Sequence, residues 1–458
     1  MESIWKHNLE MPQKNELPKN MQVNTLVIGA GMAGVLTAYF LQKKGIEVML
    51  VEAKSIASGQ TQNTTAKITS QHDIFYDKFI KKAGRKRAKF YAIANEEAIR
   101  LYQKIIEEEK IDCDFEEKSA YLYTTDATQI ETLKNEARAA KSLGIDATFI
   151  NGDKITELPF RIEGAVCFEK QAQFHPLKFI RHLAETLTMY ENTKVLSVNG
   201  HMVTTDKGKI RAENIVFATH YPITNVPGFY FLRQHQERSY VVALKGVKKL
   251  NGMYYGIDEG GLSFRSRGDT LLLGGGAHRT GICMCKNGKV IRSKIGYTYL
   301  KEMAQKYYKD HEEIAVWSAQ DCMPHDEMSF IGKYSIFRPY WYVATGFKKW
   351  GMTSSMVSAM ILSSKICEEK SMYEKTFSPQ RFLFRAGIKN FLIDLLESIK
   401  GLSKGLFSRK EKRCSHMGCK LEWNNEEDSF DCPCHGSRYS KDGNLLDNPA
   451  QMDLTEKE

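Results

Sequence analysis

Near the C-terminal end, four cysteines and two histidines crowd into two short stretches, Cys414-Ser415-His416-Met417-Gly418-Cys419 and Cys432-Pro433-Cys434-His435. Thiolate and neutral imidazole are the side chains that hold zinc or iron, so this clustering points to a metal. The other six cysteines (Cys113, Cys167, Cys283, Cys285, Cys322 and Cys367) are scattered, as buried reduced thiols would be. Four Cys and two His also suit a zinc knuckle, and the residues alone leave zinc and iron–sulfur both open. Cys283-Met284-Cys285 has the wrong spacing for a redox dithiol and is too sparse for a metal site.

A second chemistry lies near the other end, in Gly29-Ala30-Gly31-Met32-Ala33-Gly34. The first glycine of such a run permits a tight turn, the second lets a pyrophosphate approach the backbone, and the third lets a helix pack on a strand. Phosphate then sits at the helix N-terminus, where the macrodipole is positive. Glu52 follows 21 residues after Gly31, where a carboxylate can accept from ribose hydroxyls. The pattern predicts a dinucleotide and does not separate FAD from NAD.

The elements that must position these groups are legible in part. Asn24-Thr25-Leu26-Val27-Ile28 reads as a buried parallel strand, Val35 to Lys44 as a helix closed by Gly45, and Ile46 to Val51 as the next strand, giving one βαβ unit. Residues 75–150 are mostly helical in pattern. In 221–320, strands such as Tyr240 to Leu244 and Thr270 to Gly275 dominate. Between Arg381 and Arg413 there is no strand pattern; Ile388, Phe391, Leu392, Leu395, Leu396, Ile399, Leu402 and Leu406 repeat at helical spacing beside Lys389, Lys400 and Lys404. Such a helix is either a strut or a membrane-surface contact.

Four segments in order resemble the D-amino-acid oxidase and glycine oxidase superfamily over residues 22–370. They are the glycine run with Glu52; Ser58-Gly59-Gln60-Thr61-Gln62-Asn63-Thr64-Thr65-Ala66-Lys67; Lys194-Val195 with Asn214-Ile215-Val216-Phe217-Ala218-Thr219-His220; and Tyr342 to Thr353. Asp326 to Gly332 is similar to the family's Asp-x-x-Pro-x-Ile-Gly stretch, with Met328-Ser329-Phe330 departing at the proline. The resemblance implies FAD, bound by Gly29, Gly31, Gly34, Glu52, Thr61, Thr65, Val195, Thr219, Gly346, Trp350, Gly351, Met352 and Thr353. The C-terminal stretches, continued by Gly436-Ser437-Arg438-Tyr439, resemble the two ligand loops of a Rieske protein of the cytochrome bc type. That match implies one 2Fe-2S cluster on Cys414, His416, Cys432 and His435, a disulfide between Cys419 and Cys434, and hydroxyl donors to cluster sulfur from Ser437 and Tyr439. A full Rieske domain places several strands before its first ligand loop, and these are missing here.

The fold class expected is α/β (α+β). A Rossmann-like FAD-binding domain takes 20–75, 151–220 and 321–372, and an antiparallel-sheet substrate domain takes 76–150 and 221–320. An amphipathic helical linker follows over 373–412, and then a truncated Rieske β subdomain over 413–458, too small to stand alone without its metal. Catalytic residues are not fixed by any motif. His72, His220, Arg238 and Tyr240 are weak candidates, and Arg233, Arg265 and His278 are further possible lining residues. The function expected is an FAD-dependent oxidoreductase that exchanges a hydride with a small substrate, an amine or amino acid, and relays single electrons to or from an electron-carrier protein or a quinone. The alternatives are an oxidase using oxygen with a structural or sensing cluster, and a non-catalytic redox sensor or electron carrier.

Composition narrows the partners. Lys and Arg total 65 against 55 Asp and Glu, but the excess is diffuse outside Lys81 to Lys89 and Arg381 to Arg413, and no aromatic pattern accompanies it. This argues against nucleic acid. Met1 to Asn20 is polar and interrupted by Pro12 and Pro18, and no run reaches ~18 uninterrupted apolar residues, so a cytoplasmic location with at most peripheral membrane contact is expected.

Overall fold

The apolar run before Gly29 has no polar face from Leu26 onward, and it forms the inner strand Met21–Ile28 of a parallel sheet covered on both sides. In the computed structural model, residues 2–454 are described except 8, 13–16, 283–284, 287–288, 291–293, 382 and 408–411. Thr25 of this strand lies opposite Val48 of Val48–Val51 on one side and Asn214 of Lys209–Phe217 on the other. The connecting helix is Met32–Lys43, starting at Met32 rather than Val35 because Gly31, in extended conformation, already serves as its N-cap. Beyond Lys209–Phe217 the sheet continues to Arg338–Thr345 and the antiparallel edge Phe330–Ser335. The helix Gly351–Ile366 packs across Met32–Lys43 and Arg85–Glu108, burying Leu36, Met356, Val357 and Ile361.

A second, nine-stranded sheet runs from Glu312–Pro324 through Gln234–Lys245, Thr270–Arg279, Ser263–Arg267, Met253–Gly256, Glu116–Thr124 and Gly164–Gln173 to Lys67–Ile68. Its pairs are antiparallel except Met253–Gly256 with Glu116–Thr124. Three placements differ from expectation. Glu116–Thr124 is a strand inside a stretch read as helical, between Arg85–Glu108 and Ile130–Ser142. Gly164–Gln173 pairs into this sheet although 151–220 was expected with the first, and Glu312–Pro324 crosses the expected boundary at 320. The reason is physical: a strand's own alternation tells which face is buried, while the sheet it joins is decided by partners far away in sequence.

After the helix Phe384–Phe407 comes a small antiparallel sheet of four strands, Glu422–Asn424, Ser429–Asp431, Arg438–Ser440 and Leu445–Asp447. Its core is Leu421, Tyr439 and Ala450 packed around the four clustered cysteines. Among the described residues, no helix is long and apolar enough to cross a membrane. Cys283 and Met284, from the run left without a role, and the side chain of Leu406 lie outside the described residues.

Candidate functional site

Between the first two sheets is a cavity of about 1130 Å³. Gly29, Gly31, Glu52, Thr61, Thr65, Val195, Thr219, Trp350, Gly351 and Met352 all line it; Gly34, Gly346 and Thr353 do not. Met32 N–H donates to Thr61 Oγ1 at 3.0 Å, fixing the second loop against the glycine turn. Glu52 accepts from Ala30 N–H at 2.9 Å and Lys54 N–H at 3.0 Å, one bond on each oxygen, which leaves acceptor capacity toward the cavity. Burial pushes its carboxyl above the usual range in spite of these bonds. A bare glycine backbone beside a helix N-terminus, with a buried acceptor at the end of the next strand, fits the pyrophosphate and ribose of a dinucleotide.

Of the weak catalytic candidates, only two reach this space. Tyr240 lines it, with its hydroxyl 2.9 Å from His278 Nε2, and His220 lines it beside the Cys322 thiol, 3.4 Å from Nε2. Burial presses His220 down to about 4, so its ring is neutral. His72 does not line the cavity. Its Nδ1 meets Tyr91 Oη at 2.6 Å, its Nε2 meets Thr69 O at 2.8 Å, and it stacks beneath Trp350 with centroids 5.0 Å apart. Arg238 does not line the cavity either: it pairs with Glu427 and Asp447 of the C-terminal segment, at 2.5 and 3.6 Å. Arg265 is occupied by Gln173 and the Phe174 carbonyl, and Arg233 by the Pro379 carbonyl. Arg238 and Arg265 are buried and Arg233 half-buried, and each guanidinium is engaged by acceptors of the fold, which single-residue reading could not reveal.

Sequence reasoning missed Lys67, Asp321 and Lys349 as cavity residues. Lys67 Nζ donates to Ser263 Oγ at 2.6 Å and Tyr254 O at 3.1 Å, and burial lowers it to about 7. Burial also raises Asp321 to about 7. Lys349 pairs with Glu237 at 3.2 Å. For Lys67 and Asp321 the available signal was an ionisable residue on a strand; Lys349 lies in the turn before Gly351–Ile366.

At the C-terminal sheet, Cys414 and Cys432 are buried free thiols, while Cys419 and Cys434 are joined as a disulfide. The rings of His416 and His435 stand 5.1 Å apart and nearly perpendicular. Their Nδ1 atoms are buried and, among the described residues, have no hydrogen-bond partner. The opposite nitrogen of His416, Nε2, lies 3.0 Å from Asn225 Oδ1, and the Phe231 ring meets both imidazoles edge-on. Burial lowers His416 to about 4 and His435 to about 3, the neutral state a metal ligand requires. Two buried thiols and two buried imidazole nitrogens without partners among the described residues fit the donor set of a Rieske centre. Tyr439 Oη lies 3.4 Å from Cys414 Sγ, and Ser437 Oγ accepts from Ala450 N–H at 3.0 Å.

Besides Asn390, which donates to the His325 carbonyl at 2.8 Å, a buried carboxylate fastens the helix Phe384–Phe407. Asp394 accepts from His235 Nδ1 at 2.9 Å and His325 Nε2 at 2.5 Å and pairs with Arg279, whose guanidinium also donates to the Pro433 and Cys434 carbonyls at 3.2 and 3.1 Å. Burial lowers His235, but hydrogen bonds to Asp394 and Glu237 outweigh it and hold the ring above its ordinary value. A raised folded-state value stabilises fully below ~6.5 and is lost as pH rises through it. Hydrogen-exchange protection of this helix, corrected for intrinsic rates, is therefore expected to fall on the alkaline side. Asp394→Asn should lower it at every pH, by about 1–3 kcal/mol; equal protection at pH 6 and pH 9 would contradict this.

Comparison with known proteins agrees with both halves. The family model described as FAD dependent oxidoreductase matches residues 24–365, and the Rieske [2Fe-2S] domain model matches residues 399–457. The chain is 32% identical to the Rieske 2Fe-2S iron-sulfur protein YhfW of Bacillus subtilis, over 99% of this chain and 98% of that protein. A stretch of 41 residues is 49% identical to the cytochrome b6-f complex iron-sulfur subunit 1 of Synechocystis sp., covering 9% of this chain and 23% of that subunit. In structure the chain is similar to glycine oxidase from Geobacillus kaustophilus, with a TM-score of 0.66, 17% identity and coverage of 79% of this chain and 99% of that one, which shows a shared fold. With a glycine-turn cavity at one end and a thiol–imidazole cage at the other, the chain belongs to the FAD dependent oxidoreductase family and carries a Rieske 2Fe-2S domain at its C-terminal end.

Proposed function

We propose that this oxidoreductase exchanges a hydride with a small amine or amino-acid substrate in the cavity and passes single electrons to or from a carrier. When bound, flavin supplies two-electron hydride chemistry and the 2Fe-2S centre one-electron transfer. Gly29, Gly31, Glu52, Thr61 and Thr219 would hold the dinucleotide, with Trp350, Gly351 and Met352 at its ring end. Cys414, His416, Cys432 and His435 would hold the cluster. Tyr240, oriented by His278, and the Lys349–Glu237 pair would position the substrate.

One observation carries this reading: the same strand side chains that back the cavity also grip the cluster loops. Gln320 donates to the Gly436 carbonyl at 2.8 Å while its own N–H is held at 2.7 Å by Gln60, a cavity residue. Gln236 donates to the His435 carbonyl at 2.9 Å and the Asn448 carbonyl at 2.8 Å. Leu445, Asp447, Asn448 and Gln451 of the Rieske segment line the cavity themselves. The test is Cys432→Ser under anaerobic conditions, with a panel of amines and amino acids. Flavin bleaching is expected to persist, while cluster EPR and reduction of a one-electron carrier are lost. Carrier reduction at the parental rate would sink the relay, and turnover with oxygen unchanged by the substitution would assign an oxidase instead.

A further inference from the structure

The helix Phe384–Phe407 is covered on one side only. Its inner side sits on the cluster loops so closely that a Cβ on Gly401 would lie 2.6 Å from Cys434 Sγ, and Asp394 is buried in the contact described above. On its outer side Leu392, Leu395, Leu396 and Ile399 are 49%, 39%, 58% and 54% exposed. At helical spacing these four fall within an arc of about 100°. Lys389, Lys400 and Lys404 are exposed along one flank of that arc, and Arg409, Lys410, Lys412 and Arg413 follow in the sequence. A helix with one buried face ordinarily presents polar residues outward; a continuous row of bare leucine and isoleucine marks a surface that something covers.

We propose that this outer face binds the surface of an anionic lipid bilayer, with the helix lying in the membrane plane. The apolar row would enter the headgroup–acyl boundary and the lysine flank would meet lipid phosphates. Charge selects this occupant over a second copy of the chain: at a net charge of +10 two copies repel whereas an anionic surface attracts, and the flank lysines, of which Lys400 and Lys404 pair with Glu397 and Glu422 at 2.8 and 3.9 Å, stay exposed to meet it. The proposal does not rest on the substrate reading above. It does place the Cys432–Cys434 loop one helix diameter, about 10 Å, from the lipid.

The experiment is vesicle co-sedimentation of the full-length holoprotein, with phosphatidylglycerol–phosphatidylcholine vesicles against phosphatidylcholine alone. Binding is expected to the anionic vesicles and to weaken with salt. Leu396→Glu with Ile399→Glu should reduce it at least about tenfold, since two large apolar side chains leave the acyl boundary. Lys400→Glu with Lys404→Glu should reduce it as well. All four positions are solvent-facing, and flavin absorbance together with cluster EPR verifies that each variant is folded. Failure to bind anionic vesicles, or equal binding by the Leu396/Ile399 variant, overturns the proposal. So does a concentration-dependent dimer that the same variant dissolves without any vesicle binding, which would assign the face to a second copy.

Discussion

Replacing Arg438 with methionine is expected to strip the cluster from the protein while leaving the flavin in place. Arg438 is buried at the centre of the four-stranded sheet, where it pairs with Asp431 at 3.0 Å, with Asp447 at 2.9 Å and with Glu427. Burial alone would push Glu427 up, but Arg238 and Arg438 outweigh it and hold the carboxyl down at about 2. Removing the guanidinium leaves buried carboxylates short of a counter-charge, a loss of about 3–5 kcal/mol. A sheet this small has little stability in reserve, so the loss should appear as failure to retain iron and sulfide. The Gly29–Gly34 turn belongs to the first sheet and takes no part in these ion pairs, so flavin absorbance should persist. Arg438→Lys keeps the charge without the fork and should retain an intermediate amount of cluster. Iron and sulfide at parental content in Arg438→Met, with an unchanged melting temperature, would refute the argument.

The converse result is expected from Gly34→Ala: a protein that loses its flavin and still binds its iron and sulfide. A Cβ at Gly34 would stand 1.9 Å from the Gly29 carbonyl oxygen and 3.4 Å from Val27 Cγ1. Backbone cannot yield as a flexible side chain does, so the helix Met32–Lys43 would have to lift from the strand Met21–Ile28, at about 1–3 kcal/mol or more. The lift moves the helix N-terminus away from the phosphate position, and FAD affinity should fall by at least about tenfold. Flavin content after dialysis, read beside cluster EPR in the same sample, measures both halves at once. Retention of flavin at the parental level would show that the third glycine is not needed for close packing.

What could be read from residues alone divides along a physical line. The βαβ unit was legible because everything that makes it is local: an apolar run, three glycines at fixed spacing and an acid at the end of the next strand. The crowding of Cys414, His416, Cys432 and His435 was legible for the same reason. The long second sheet was only half legible, because Gly164–Gln173 and Glu116–Thr124 find each other across intervening helices and no residue in either names its partner. The buried arginines were the hardest. Arg238 reads as a substrate ligand by type and by its place on a strand near Tyr240, yet the acceptors that claim it, Glu427 and Asp447, lie about two hundred positions later. Gln236 and Gln320 carried no motif; their only signal was an amide at an inward strand position, which must find a partner once buried.

Asn225 and Phe231 close the outer edge of His416 and His435, Gln236 and Gln320 hold the second loop from beneath, and Arg279 secures it from the side. An iron centre gripped from three directions is not a courier. Such anchoring would keep the cluster at one distance from the flavin, and under the proposed relay an external electron partner would have to travel to it rather than meet a swinging head.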